Sequence, residues 1–261
     1  LEAFDITKED LTPIRSALLT TKAPEPEISL DGLTKLKLHT PEVALPDYCH
    51  PIGADHHEEL QLPLAEYLLD RKVDPLAARA HFSLDRKLLG RVIIPFYRDS
   101  KVIYWQARAI DRELKPRYLN SPVARDAILY GYDHLYRWRE TPLFVTEGVF
   151  DAISLDGICT LGSSINEAKL EVLRRSRRRL IFVIDRDQTG GVFGKTALEN
   201  GWEISFVDVR ARDANHSVQV FGLPYTIYTL MKNATTKPTF TDQSKLQLSM
   251  GVLMGKLREN A

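Results

Sequence analysis

Between Gly90 and Ile110 the apolar residues of RVIIPFYR and KVIYWQARAI recur with a period of two, and the pair Asp99-Ser100 separates them, which predicts a β-hairpin. Beyond Pro142 the pattern changes. Short apolar runs, LFVT, ICTLG, LIFVI and EISFVDV, alternate with helical stretches: FDAISLDG, a segment capped by Asn166 and running through Arg177, one from about Gly191 to Asn200, and a short one opened by Asp213 and ending at Phe221. Brief strands that are apolar on both sides, each followed by a helix, predict a four-stranded parallel sheet with helices on both faces. Upstream, Lys8–Leu19 reads as a helix with Thr7 as its N-cap, the proline-containing stretch Lys22–Pro46 as a linker or extended arm, and Pro63–Ala80 as a helix broken near Pro75. KPRYLNSP reads as a turn-rich loop, and Tyr225–Met231 and Gln243–Leu257 as helices. The fold class is therefore α/β, with a smaller α+β unit before the parallel sheet. The expected division is an arm over 1–63, the α+β unit over 64–140, the parallel sheet over 141–222 and C-terminal helices over 223–261.

Composition narrows the class. A chain of 261 residues that is 44% hydrophobic and 27% charged is globular rather than disordered. No apolar run reaches the roughly 18 residues of a membrane span, and none opens the chain as a signal peptide would, so a cytoplasmic protein without a membrane partner is expected. Two cysteines cannot build a disulfide scaffold or a four-cysteine zinc site. The chain starts at Leu1 rather than Met, which suggests that an upstream piece was removed.

Charge is balanced overall, 35 basic against 35 acidic residues, but it is not evenly spread. Residues 1–60 carry twelve Asp/Glu against five Lys/Arg, whereas 71–125 carry thirteen Lys/Arg against five Asp/Glu. The second stretch is a candidate phosphate-contacting surface. The arginines at 174, 175, 177, 178 and 179 read instead as a solvated face.

In open α/β sheets ligands bind beyond the C-terminal ends of the strands. Three of the predicted strands deliver carboxylates there: Glu147 with Asp151 one turn later, Asp185 with Asp187, and Asp213. A single aspartate at a strand end is usually a helix cap. Five acidic residues converging on one rim need a cation to offset their repulsion, and oxygen donors without His or Cys select Mg²⁺ or Mn²⁺ over zinc. Such an ion completes its shell with substrate phosphates, so phosphoryl-transfer chemistry is indicated. Gly148 and Gly190 suit tight strand-to-helix turns that approach a ligand closely. Cys49, His50, His56 and His57 lack the paired spacing of a zinc site, and no zinc is expected in the chain.

VTEGVFDAISL followed by FVIDRDQTGG resembles the EG and DxD signature of TOPRIM domains. GRVIIPFYRDSKVIYWQARAI, KPRYLNSP and ILYGYDHL resemble the RNA-polymerase core of DnaG-type bacterial and phage primases, and RDANHSVQVFG resembles the third acidic element of the phage members. The similarity covers roughly Leu64 to Gly222. It implies a DNA-directed RNA polymerase that makes short primers from NTPs on a single-stranded DNA template. It further implies that Glu147 acts as acid/base or metal-positioning group, that Asp185 and Asp187 hold Mg²⁺, and that Asp151 and Asp213 support them. Arg91, Arg108 and Arg117, with Tyr118 and Asn120 of the YLNSP element, would bind nucleotide or template. Arg117 stands where the family usually has Lys, and Arg125 is a shifted candidate for the basic residue before LYG. The family's N-terminal zinc-binding module is missing from these residues. The resemblance implies that a separate chain supplies it, that it was removed, or that the protein works without it; a replicative helicase is the other partner it suggests, in a bacterial cell or a phage-infected host. The same metal chemistry would also serve a TOPRIM nuclease, and a primase-derived binding module would keep the surfaces without turnover.

Overall fold

A computed structural model describes residues 42–136, 141–176, 178–185 and 190–238. The expected helices at Lys8–Leu19 and Gln243–Leu257, most of the proline-containing arm, Arg177 and Asp187 lie outside the described residues.

The period-two segments form an antiparallel sheet of five strands in chain order: β1 (Cys49–Pro51), β2 (His81–Ser83), β3 (Arg91–Arg98), β4 (Lys101–Ala109) and β5 (Tyr118–Asn120). Asp99 and Ser100 close the β3–β4 hairpin at φ 49° and 65°, the positive values that let a two-residue turn follow the strand twist. Strand β5 corrects the loop expected for YLNSP. Leu119 pairs with Ala107 and packs beside Leu88 and Ile93, and this burial outweighs the turn-forming composition around it.

Helix α1 (Glu58–Asp70) covers the inner face of this sheet, with Leu64 and Leu68 one turn apart and both buried. It begins five residues before Pro63 and stops at Asp70, short of the expected Ala80. The buried Val73, Ala78 and Ala80 reach the same core from turns, because Pro75 disfavours helix at the residue before it.

The second sheet contains β6 (Leu143–Thr146), β7 (Ile158–Cys159), β8 (Leu180–Ile184) and β9 (Glu203–Phe206), all parallel, in the order β7-β6-β8-β9. Its helices are α2 (Val149–Ser154), α3 (Glu167–Arg174), α4 (Gly190–Glu199), α5 (Ala214–Phe221) and α6 (Leu223–Lys232). Alternation sends Leu143, Val145, Leu180 and Phe182 to one face, against Leu170 and Leu173 of α3 and Phe193 and Ala197 of α4. Phe144, Ile181 and Val183 go to the other, against Leu155, Ala214 and Val218 and Leu230 of α6. Both faces are buried, which is why LIFVI carries no polar residue. Asn166 and Asp213 cap α3 and α5, accepting from Lys169 N (3.1 Å) and His216 N (2.7 Å).

Val149 and Phe150 of α2 pack into the core beneath the first sheet, so the helix that follows the EG turn also joins the two units. Four of the arginines in the arginine-rich segment have partners within the chain: Arg174 and Arg175 pair with Glu167 and Glu171, Arg179 pairs with Glu203, and Arg178 donates to the carbonyls of Thr141 and Pro142. Among the described residues no helix is long and apolar enough to cross a membrane.

Candidate active site

The C-terminal ends of β6 and β8, neighbours at the centre of the parallel sheet, release Glu147 and Asp185, both half-buried. The chain after β6 is shaped locally. Thr146 Oγ1 donates to the Gly148 carbonyl (2.9 Å), and Gly162 N donates to the Glu147 carbonyl (3.0 Å), tying the exits of β6 and β7 together. Gly148 has no room for a side chain: a Cβ there would stand 2.6 Å from Asp151 Oδ2. Gly148→Ala is therefore expected to cost about 1–3 kcal/mol through overpacking against a buried carboxylate, measurable by urea unfolding.

Asp151, one turn into α2, is 9% exposed and accepts a hydrogen bond from Asn215 N (2.8 Å). Burial, reinforced by the nearby Asp213 carboxylate, pushes its pKa up to about 7. Asn215 links this carboxylate to the other half of the molecule. Its Oδ1 accepts from Arg71 Nη1 (2.9 Å), and its Nδ2 donates to the Arg71 carbonyl (2.8 Å) and to Ser154 Oγ (2.7 Å).

Asp151 and Asp213 line a cleft of about 580 Å³ together with Arg71, Arg108, Lys115, Arg117, Tyr67 and Tyr118. Arg108 lies over the rings of Tyr118 and Phe150, at 4.8 and 5.3 Å, and hydrogen-bonds the Tyr118 hydroxyl. Arg71 lies over Tyr67 and Phe150, at 4.9 and 5.1 Å. Burial, with the charges of Arg117 and Arg71 behind it, lowers the Arg108 pKa from its ordinary value, and its buried Nε has no partner among the described residues. A desolvated guanidinium with a spare donor, in a cluster of like charges, suits a phosphate.

The fold thus brings Arg108, Arg117, Tyr118, Gly148, Asp151 and Asp213 to one cleft, with Glu147 and Asp185 on the adjoining sheet edge and Gly190 opening α4. It does not bring Arg91 there. Arg91 pairs with Ala109 and shares the outer face with Ile93 and Ala107, opposite the face of Arg108, and it is 2% exposed. Strand parity sets this placement: residues 91 and 92 must point to opposite faces, and Val92 takes the inner one. Asn120 is exposed and accepts from Gln106 Nε2 (3.0 Å), beyond the cleft lining. Asp213 spends one oxygen as a helix cap while it faces Asp151. Sequence reading missed Tyr67, Arg71, Phe150 and Asn215. The excess of basic residues over 71–125 was the signal for Arg71; nothing local marks the other three.

The donor chemistry fits a hard divalent cation. Asp213 raises the Asp151 pKa more than the nearby Arg71 lowers it, and Glu147 and Asp185 add oxygen donors at the same edge.

A four-stranded parallel sheet with carboxylates at its C-terminal edge, beside a basic antiparallel sheet, is a TOPRIM-type α/β architecture. More particularly, the fold is that of DnaG-type primase catalytic cores, and part of the chain is similar in sequence to bacterial DNA primases. It is 30% identical over 124 residues to the DNA primase of Legionella pneumophila, a match covering 42% of this chain and 22% of that protein. The chain spans about a fifth of the length of the curated relatives it matches. In fold it resembles the DnaG primase catalytic domain bound to ssDNA, with TM-score 0.55 and 18% identity over 71% of this chain and 74% of that one. It also resembles the RNA polymerase domain of the Mycobacterium tuberculosis primase DnaG, with TM-score 0.57 and 17% identity over 71% and 79%. No family model matches the chain.

Proposed function

We propose that this chain is the catalytic core of a DNA primase, joining NTPs into short RNA primers on a single-stranded DNA template. The observation that carries the reading is the cleft itself: Asp151 and Asp213 line it together with Arg71, Arg108 and Arg117, beside the edge where Glu147 and Asp185 emerge. Residues 64–140 serve as the basic subdomain and 141–222 as the TOPRIM unit.

Glu147, Asp185 and Asp187 would hold Mg²⁺ or Mn²⁺, with Asp151 and Asp213 next to them. When bound, the ion activates the attacking 3′-hydroxyl and stabilises the departing pyrophosphate. The chain's own side chains do the rest. Arg108 and Arg117 hold triphosphate or template phosphate, and the Tyr67, Tyr118 and Phe150 rings keep the guanidinium groups oriented. The Glu147 carboxylate would either take the proton from the attacking hydroxyl or position the ion.

The test is incorporation of labelled NTPs on single-stranded DNA with Mg²⁺, with and without a zinc-binding module added as a second protein. Short labelled oligomers support the reading; template cleavage without incorporation indicates a nuclease instead. Arg108→Ala is expected to weaken template binding and lower the slope of log K against log salt by about 1. Arg91→Ala, on the opposite face, leaves that slope unchanged. A replicative helicase as partner and a cytoplasmic location in the bacterial or phage-infected cell complete the proposal.

A further inference from the structure

His50, His56 and His57 stand apart from the cleft, and the spacing argument discounted them. Among the described residues they are the one trio of metal-ligating side chains whose ligand atoms all lie within 4.8 Å of one another. Their rings are 4.6, 5.7 and 5.1 Å apart. The fold assembles them from two elements. His50 lies on β1 directly across from Phe82 of β2, so it shares the inner face with that ring, 5.6 Å away. Cys49 necessarily points the other way and packs on the outer face near Leu88 and Ile93, which removes it from the trio. His57 is the N-cap of α1 in the left-handed region, at φ 59°, and His56 precedes it.

The loop that carries the second and third rings is held by a buried amide. Gln61, 7% exposed, accepts from Gly53 N (2.7 Å) and donates to the carbonyls of Ala54 (2.7 Å) and His56 (2.8 Å). Ligand atoms set on a backbone already fixed lose little freedom when an ion arrives.

We propose that His50, His56 and His57 bind one Zn²⁺ ion, with the fourth position open to solvent. Neutral imidazole nitrogens select borderline transition ions, not the Mg²⁺ that oxygen donors favour. A tetrahedral site with Zn–N near 2.0–2.1 Å sets its nitrogens about 3.3 Å apart. His50 Nδ1 and His56 Nε2 lie 2.9 Å apart as a hydrogen-bonded pair and all three ligand atoms lie within 4.8 Å of one another, so the ion would replace that hydrogen bond and the rings would rotate to close on it. The ion ties the outermost strand of the five-stranded sheet to the start of the helix that covers its inner face. It acts as a structural staple, independent of the polymerase reading.

The experiment is a zinc titration of the metal-free full chain against a chromophoric chelator, with Mg²⁺ in large excess, followed by thermal unfolding. The expected result is one Zn²⁺ per chain, not displaced by Mg²⁺, and a higher unfolding midpoint when zinc is bound. His56→Gln and His57→Asn should each weaken binding by at least about tenfold. His56 is exposed, so its variant keeps the fold, which the unfolding midpoint of the metal-free protein verifies. His81→Gln, on the neighbouring strand, should bind zinc as the parent does. Binding well below one ion per chain, displacement by Mg²⁺, or equal affinity in His56→Gln and the parent would overturn the proposal.

Discussion

On the proposed function, Asp185→Asn is expected to lower primer synthesis by at least about a thousandfold, roughly 4 kcal/mol of barrier, while leaving the unfolding midpoint and circular dichroism near those of the parent. Asp185 directly follows β8, which lies between β6 and β9 and is buried along its whole length. The strand cannot move to compensate for a lost ligand, because Phe182 and Ile184 on one face and Ile181 and Val183 on the other are locked between helices. The amide matches the carboxylate in size and removes only its charge, so the substitution tests cation binding rather than packing. Incorporation of labelled NTPs at saturating Mg²⁺ is the measurement. Wild-type synthesis by this variant would remove the divalent-cation assignment at the sheet edge.

Asp151→Asn separates stability from activity through pH. A carboxyl whose pKa is raised in the folded state favours folding most below its ordinary value, 3.8, and that contribution is lost as pH rises through about 7. The metal-free parent should therefore lose about 2–4 kcal/mol from this group between those limits. Asp151→Asn should flatten that part of the profile, so at pH 8 the variant is the more stable protein in urea. Its amide oxygen can still accept from Asn215 N, which keeps the local hydrogen bond. Synthesis should fall by at least about tenfold, because the charge facing Asp213 in the cleft is gone. Added Mg²⁺ should stabilise the parent at pH 8 and the variant much less. A parent profile without this slope, or a variant that follows it, would show that Asp151 titrates normally.

Much of the scaffold was legible because its signals are local. LFVT and LIFVI are strands with the expected bounds, Asn166 and Asp213 cap helices where their side chains predicted, and Asp99-Ser100 turns the hairpin. Errors arose where a distant contact outweighed local preference. The YLN of YLNSP is a strand because Leu119 finds an apolar partner surface on β4. Helix α1 shifted relative to Pro63 because Leu64 and Leu68 had to meet the sheet.

The order of residues by itself determined the two kinds of sheet, the turns that present Glu147, Asp185 and Asp213 at one edge, and the need for glycine at 148. These depend on periodicity and on neighbours a few positions apart. Tertiary structure alone decided which basic residues face the acids. Arg71 meets Asn215 across 144 positions, Arg91 turns away by strand parity, and three histidines with unpromising spacing come together where β1 meets α1. A spacing rule cannot foresee such meetings, since they are set by which buried faces pack and not by distance along the chain.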